Sequence, residues 1–296
     1  MKKWYLFLIA IAMLGCKYTK DDKKAKFLTE LLPTKTPIVF KEELTPKDKI
    51  IHKGIFSPDL EHYYYTLSNK DFTQFDVYIL EKKDGNWSQP KKAFFNSQYD
   101  DHGMNFSPDG NTIYFSSTRP TNMKDVAETW HIWKSEKVNE KWSKPTYVDV
   151  PNLRNKLVSH PVVTNSGTLY FHSSNLDYSG MDIYHAKSIN GEYQEAKKVI
   201  ASINPKGDKC TPYVSPNEKY MIYATVGNQL DLHLSFKDDS GNWIYKKKLS
   251  NAINTSGQGN PFVTPDHKYL FYTTGNHQGT NWNIKWVDIA SDLEIK

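Results

Sequence analysis

Two short apolar runs around a tight-turn sequence recur five times along the chain, with 49 to 57 residues from one copy to the next. In the second copy the first run ends at Phe106, and residues 107–110 read Ser-Pro-Asp-Gly. Proline fixes φ in such a turn, the aspartate caps its own backbone, and glycine tolerates a positive φ. A repeat of this length predicts one β-propeller blade per copy. The residues before the five turns are Phe56, Phe106, Val163, Val214 and Val263.

Each copy continues with a third strand pattern and, after another tight turn, a fourth. Apolar and polar residues alternate in these later runs, which is typical of strands that pack one face on a neighbouring sheet. The fifth copy has no convincing fourth strand, whereas residues 37–44 form an unassigned strand pattern ahead of the first copy. We expect this strand to close the ring as the outer strand of the last blade. The prediction is an all-β, five-bladed propeller of four-stranded antiparallel blades; a six-bladed ring that uses residues 37–50 is the alternative.

The copies share Phe/Val-Ser/Thr-Pro/Asn at the turn, Ile/Leu-Tyr-Phe or a variant of it in the second strand, and Asp-Ile-Tyr or a variant of it in the third strand. These repeats resemble those of TolB-like, WD-repeat-like β-propellers, which are common in bacterial envelope proteins. The resemblance covers about residues 37–290 and includes nothing like the N-terminal α/β domain of TolB. It implies the fold, whereas the functions of such propellers range over scaffold modules, sensor or peptidoglycan-associated domains, and enzymes.

The N-terminus has the pattern of a secretory signal. Two lysines precede an apolar run from Trp4 to Leu14, which is too short to remain as a membrane span. The sequence Met-Leu-Gly-Cys that ends at Cys16 resembles the bacterial lipoprotein box, which implies cleavage before Cys16 and lipidation of that cysteine. An ordinary signal peptide is the alternative. We therefore expect a signal peptide at 1–15, a lipidated tether at 16–36 and the propeller at 37–296, anchored in the bacterial cell envelope at the outer membrane, facing the periplasm or the cell surface.

Composition narrows the choice of partners. Lysine and arginine total 38 residues against 33 acidic ones, but only Arg119 and Arg154 are arginines. Arginine dominates bidentate recognition of phosphates and bases, so nucleic acid is not an expected partner. Cys210 is the only cysteine besides Cys16, and a lipidated Cys16 would leave it without an intramolecular disulfide partner. The expected partners are the membrane, through the lipid, and an envelope protein, peptide or glycan.

Polar residues flank the inner strand of each predicted blade. The inner strand begins, and the second strand ends, on the same face of a propeller, around the central channel, where ligands usually bind. We therefore predict a ligand-binding channel mouth on this face. Its predicted residues are His52, Asp101, His102, Arg119, His160, Asn175, Asp208, Asn260 and His277.

Three of these histidines suggest a metal site. Imidazoles of His52, His102 and His160 from separate blades could hold one divalent ion with an open position for water or substrate. This arrangement resembles that of propeller lyases that act on uronic acid sugars. Counted from the turn, His160 is one residue out of register with the other two and is expected to point to a different side of its strand. Polar side chains that line a wet channel are the alternative, and no other cofactor is indicated.

No complete catalytic motif accompanies the repeats. The chain has no Gly-x-Ser-x-Gly elbow, and Asp101 with Asp208 is the only plausible carboxylate pair for glycoside hydrolysis. Cys210 is more typical of a small packed residue than of a nucleophile with a histidine base. The predicted function is therefore non-catalytic ligand binding, with Trp130 and Trp282 as candidate ligand contacts. The alternative is a carbohydrate-active lyase or hydrolase with a His/Asp metal site in the channel.

Overall fold

The structure is a computed structural model that describes residues 31–199, 207–275 and 282–293. Pro33–Lys296 form one compact unit, and the preceding unit, Met1–Leu32, lies almost wholly outside the described residues, as do the predicted signal peptide and Cys16. None of the helices in the described ranges has the length and hydrophobicity of a membrane span.

The first two blades each contain three full strands and two short outer strands. The short strand β1 spans Ile38–Val39 and precedes them. Blade 1 contains β2 (Lys49–Phe56), β3 (His62–Asn69), β4 (Asp76–Lys83), β5 (Asn86–Trp87) and β6 (Lys91–Lys92). Blade 2 contains β7 (Asp101–Phe106), β8 (Thr112–Ser117), β9 (His131–Val138), β10 (Lys141–Trp142) and β11 (Thr146–Tyr147). In both blades the two short strands pair with the third full strand.

The other three blades repeat this antiparallel order. Blade 3 contains β12 (Leu157–Val163), β13 (Leu169–Ser174), β14 (Asp182–Ala186), the ribbon of β15 (Ser188–Ile189) and β16 (Glu192–Tyr193), and β17 (Lys197–Lys198). Blade 4 contains β18 (Lys209–Val214), β19 (Tyr220–Val226), β20 (Leu230–Lys237) and β21 (Trp243–Lys248). Blade 5 contains β22 (Gln258–Val263), β23 (Tyr269–Thr274), β24 (Asn283–Asp288) and β1. Short 3-10 helices span Glu42–Leu44 and Pro151–Leu153.

The N-terminal strand closes the ring. It pairs antiparallel with β24, with Ile38 opposite Trp286, and so forms the outer edge of blade 5. The five-bladed prediction and its closing strand are confirmed, and the six-bladed alternative is wrong because this segment completes blade 5. The N–H of Asp288 also donates to the carbonyl of Thr34 at 3.0 Å. The end of the segment assigned to the tether is therefore already bonded to the propeller.

Every inner strand carries a β-bulge at the same place. In four blades a bulge residue takes a left-handed backbone, with φ of 61° at Gly103, 58° at His160, 46° at Thr211 and 54° at Asn260. Bulges re-aim side chains away from the simple alternation of a strand. The register shifts lie between Ile51 and Gly54, His102 and Asn105, Ser159 and Val162, Cys210 and Tyr213, and Gly259 and Phe262.

Candidate functional site at the channel mouth

The bulges place one inner-strand residue from each blade at the same level of the channel. These residues are Lys53, Gly103, His160, Thr211 and Asn260, each three positions before its turn anchor. The imidazole Nε2 of His160 lies 2.9 Å from Oδ1 of Asn260, a hydrogen bond between blades 3 and 5. Because these blades are not neighbours in the ring, the contact crosses the propeller axis.

Three imidazoles meet at this level. The ring centroids of His102 and His160 are 4.7 Å apart, and those of His160 and His172 are also 4.7 Å apart. The expectation that His160 would point away from His102 is wrong, because the bulge changes the direction of its side chain. A side chain at Gly103 would be strained by its φ of 61°, and an added Cβ would lie 3.1 Å from Oγ of Ser116.

Hydrogen bonds fix the orientation of these rings. Nδ1 of His160 lies 3.0 Å from Oγ of Ser159, and Nε2 of His102 lies 3.2 Å from the same oxygen. The backbone N–H of Thr211 donates to Nδ1 of His172 at 3.1 Å, so this nitrogen carries no proton. The imidazoles are thus held by inner-strand groups and do not depend on a ligand for their positions.

Lys53 is the charged residue of this layer. Its side chain is 2% exposed, and no hydrogen bond or ion pair to its ammonium is present among the described residues. Burial lowers the pKa of Lys53 to about 7. Burial, followed by the nearby lysine, lowers the pKa of His172 to about 3. Lys53, His102, His160, His172 and Asn260 are called the channel cluster below.

Burial also lowers the pKa of the other two imidazoles in the channel cluster. The pKa of His102 lies well below its ordinary value because of burial and then the nearby His52, His172 and Lys53. Burial, followed by the nearby His102, His172 and Lys53, lowers the pKa of His160 well below its ordinary value. The three rings are therefore neutral at physiological pH and can both donate and accept hydrogen bonds.

Aromatic rings extend the site from the channel cluster to the surface. The ring of Phe75 contacts both His52 and His102, at centroid distances of 5.0 and 5.2 Å. Trp130 lies 4.1 Å from His102, and Trp282 lies 6.1 Å from His52. Phe72, which is 47% exposed, contacts Trp282 at 5.7 Å. These rings form a strip, called the aromatic strip below, that consists of His52, Phe72, Phe75, Trp130 and Trp282.

The structure does not assemble the predicted three-histidine metal site. No group of three or more His, Cys, Asp or Glu side chains in the described ranges is arranged to hold a metal ion. His52 packs on Phe75, and its Nε2 lies 2.8 Å from Oγ of Ser68 instead of converging with the other imidazoles. The ring nitrogens of His160 are likewise engaged by Ser159 and Asn260.

Asp101 and Arg119 form a buried ion pair and do not line the mouth. A guanidinium nitrogen of Arg119 lies 2.6 Å from the Asp101 carboxylate, whose side chain is 0% exposed. The same guanidinium donates to the carbonyl of Phe95 and lies over the rings of Phe115 and Trp133. The prediction that these two residues contact a ligand is corrected, because their charges are satisfied within the protein.

The remaining predicted residues have different positions. Asn260 belongs to the channel cluster. Asn175 is exposed on the β13–β14 loop, where its side chain bonds Lys156 and Ser179. Asp208 is partly exposed just before β18. Neither makes a hydrogen bond or ion pair with the channel cluster in the described ranges, and His277 lies outside the described residues.

Two members of the channel cluster were not among the predicted site residues. Lys53 occupies the same repeat position as His160 and Asn260, so the repeat alignment contained the signal. His172 occupies the second-strand position opposite the bulge, where the other blades have small side chains. A histidine at a repeat position where the other four copies have small residues was the sequence signal for this site residue. The residues at the equivalent positions are Thr66, Ser116, Ala224 and Thr273.

Cys210 lies beside the channel but is not a reactive thiol. It is a free, buried cysteine, and burial raises the pKa of its thiol to about 12. The thiolate is the nucleophilic form of cysteine, so a raised pKa suppresses reactivity. The sequence-based preference for a packed residue agrees with this environment.

The opposite end of the channel has a different character. A cavity of about 100 Å³ there is lined by the turn anchors and by prolines of the inner turns. Its wall is apolar, in contrast to the imidazoles and the ammonium at the channel mouth. The lining includes Phe56, Phe106, Val163, Val214, Val263 and Pro265.

Comparison with solved structures finds the same architecture at low sequence identity. A glycoside hydrolase structure is 11% identical with a TM-score of 0.57, and the match covers 91% of this chain and 95% of that one. A protein of unknown function from Dyadobacter fermentans is 12% identical with a TM-score of 0.51, over 87% and 84% of the two chains. TolB from Acinetobacter baumannii is 15% identical with a TM-score of 0.47, over 80% of this chain and 54% of TolB.

The glycoside hydrolase and the Dyadobacter fermentans protein share a fold with the chain. The chain spans about half the length of TolB. No protein-family model matches the sequence, and no curated protein matches it. The function therefore has to be inferred from the channel mouth itself.

Proposed function

We propose that this protein binds a glycan at its channel mouth, without cleaving it, as a lipid-anchored component of the bacterial cell envelope. The observation that carries the proposal is the aromatic strip, which runs from the exposed ring of Phe72 to the imidazoles of the channel cluster. Aromatic faces beside a few fixed polar groups suit a ligand that has both apolar faces and hydroxyl groups. Sugar rings have this combination.

The chemistry of the mouth supports binding more than hydrolysis. Hydrolysis of a glycosidic bond ordinarily uses two carboxylates that flank the bond. Of the predicted pair, Asp101 is buried in its ion pair with Arg119, so it is not available to a ligand. The high pKa of the Cys210 thiol disfavours nucleophilic catalysis as well.

The anchored location is supported by the sequence of the N-terminus. The apolar run and Cys16 have the pattern of a lipoprotein signal, and the residues up to Leu32 precede the compact propeller unit. A lipid on Cys16 would hold the propeller near the membrane by a short polar tether. A binding site displayed in this way captures glycans close to the cell surface.

Glycan-array binding followed by calorimetry tests the proposal. The purified full-length protein in detergent micelles is expected to bind a subset of oligosaccharides saturably. Phe72→Ala should weaken that binding about tenfold, because an aromatic anchor is worth more than about 1 kcal/mol at an interface. Phe94→Ala is the matched control, since Phe94 is 45% exposed but stacks on Trp142 at the outer edge of the blades.

Two results would overturn the proposal. One is the absence of saturable binding to any glycan, whether or not the protein binds peptides in a parallel array. The other is equal affinity of the wild type, Phe72→Ala and Phe94→Ala for the same oligosaccharide, which would place the ligand away from the aromatic strip. Release of shortened sugars during the incubation would contradict the non-catalytic part.

A further inference from the structure

Lys53 is a buried lysine with no anionic partner among the described residues. An isolated ammonium taken out of water loses a large hydration free energy, which buried charges in proteins normally recover from a paired charge. The wild-type chain places Lys53 at 2% exposure and offers no carboxylate to it in the described ranges. Both arginines of the chain do have such partners: Arg119 pairs with Asp101, and Arg154 pairs with Asp149.

The groups around Lys53 are hydrogen-bonding groups without negative charge. Burial first, and the positive charge of Lys53 as a smaller cause, lower the pKa values of His102, His160 and His172. Asn260 completes the layer, and its amide nitrogen makes only a long contact of 3.5 Å to Oγ1 of Thr273. Because Nδ1 of His172 accepts a hydrogen bond, the proton of this neutral ring lies on Nε2, so His172 Nε2 and the Asn260 amide nitrogen are donors beside Lys53.

We propose that the channel cluster binds the carboxylate of an acidic sugar, with Lys53 as its counter-ion. The inference rests on the proposed glycan-binding function and specifies its ligand class. The carboxylate enters the channel beneath His102, and the sugar ring to which it is attached lies along the aromatic strip. A ligand carboxylate supplies a negative charge that no described residue places beside Lys53.

A carboxylate fits this site better than a phosphate. Phosphate recognition favours planar guanidinium groups that donate two parallel hydrogen bonds. The two arginines of the chain, Arg119 and Arg154, are already bonded to aspartates. A single lysine with neutral imidazoles matches the single charge of a carboxylate.

Pairs of acidic oligosaccharides and their methyl esters provide the test. The panel contains oligosaccharides with glucuronic, galacturonic or sialic acid, each beside the ester that removes only the charge. For at least one pair, the full-length wild-type protein should bind the acid at least tenfold more tightly than the ester. Lys53→Met keeps most of the alkyl chain and should abolish this preference, whereas Phe72→Ala should weaken acid and ester alike.

The outcomes separate this inference from the proposed function. Equal affinity for acid and ester in every pair, with glycans still bound, overturns the carboxylate assignment and leaves glycan binding intact. A preference for the acid that persists in Lys53→Met overturns the role of Lys53. Absence of binding to every acidic and neutral glycan overturns the proposed function itself. The comparison of acid with ester uses the wild type alone, so it remains decisive if Lys53→Met fails to fold.

Discussion

Residues of the inner strands reach the channel mouth because a bulge turns them out of the regular alternation. His160 has a left-handed backbone at φ 58°, and its ring contacts both His102 and His172. Such a conformation is uncommon outside glycine and is found preferentially at functional sites. The same conformation at Thr211 and Asn260 shows that the geometry belongs to the repeat, while the histidine is particular to blade 3.

The buried imidazoles should make the fold sensitive to acid. In the unfolded chain His172 binds a proton as the pH falls below about 6.5, whereas its folded pKa is about 3. Between these values the unfolded chain binds more protons, so the free energy of unfolding falls as the pH falls. When the pH is lowered from 7 to 4.5, the free energy of unfolding of His172→Gln should fall by about 2 to 3 kcal/mol less than that of the wild type.

Chemical unfolding followed by tryptophan fluorescence at several pH values measures this difference. His62→Gln serves as the control, because His62 is partly exposed at the start of β3 and lies far along the strand from the bulge. An identical pH dependence in the wild type and His172→Gln would show that the His172 ring is accessible to protons in the folded state.

Among the elements, the closing strand depends on one side chain that follows it. Phe40 is 2% exposed, and its ring contacts those of Phe56, Tyr63, Phe271 and Trp286 at 5.0 to 6.1 Å. It therefore packs β1 against both the first and the last blade. A two-residue strand makes few hydrogen bonds, so most of the stabilisation of β1 at the edge of blade 5 comes from the packing of Phe40.

Phe40→Ala should lower the free energy of unfolding by about 3 to 5 kcal/mol, the usual cost of removing a buried phenylalanine ring. Val39→Ala is the control within the same strand, since Val39 is 39% exposed and should change stability by less than about 0.5 kcal/mol. Thermal and denaturant unfolding of the two variants measures the difference. Equal stabilities would mean that blade 5 holds together without the Phe40 contact.

The elements were more predictable from the sequence than the site. Repeat spacing located the inner strands, and a missing fourth strand in the last copy indicated that the N-terminus supplies it. Spacing also placed His102 and Asn260 near the channel, but the bulge that joins His160 to His102 depends on pairing with the second strand. Spacing says where a residue lies along a strand and not what it bonds, which is why the Asp101–Arg119 ion pair was mistaken for part of the mouth.

For the whole molecule, the two ends of the channel differ in chemistry. One end presents the channel cluster and the aromatic strip, and the other is an apolar cavity lined by the turn anchors. A ligand that carries charge and hydroxyl groups is thereby directed to one end only. In the proposed lipid-anchored form, the orientation of the propeller relative to the membrane would decide which glycans reach the proposed site.

Cys16→Ser should release the protein from the membrane. Lipidation requires the cysteine thiol, and the serine variant is expected in the soluble fraction after cell disruption, while the wild type stays with the membranes. Cys210→Ser is the matched control, because Cys210 is buried in the propeller and should not affect the location. Incorporation of a labelled fatty acid into the wild type but not into Cys16→Ser provides the chemical measurement. A membrane-bound Cys16→Ser protein would contradict the proposed anchor.

The pairing of β1 with β24 also determines when the ring of blades is closed. Ile38 and Trp286 lie near opposite ends of the sequence, and their pairing closes a loop of almost the entire chain. Contacts of such long sequence separation form late and slowly. During folding, β1 stays unpaired until β24 is available, and the unfinished ring presents a strand edge that can pair with another chain. Cellular quality control should therefore act on this protein before β1 pairs with β24 and completes blade 5.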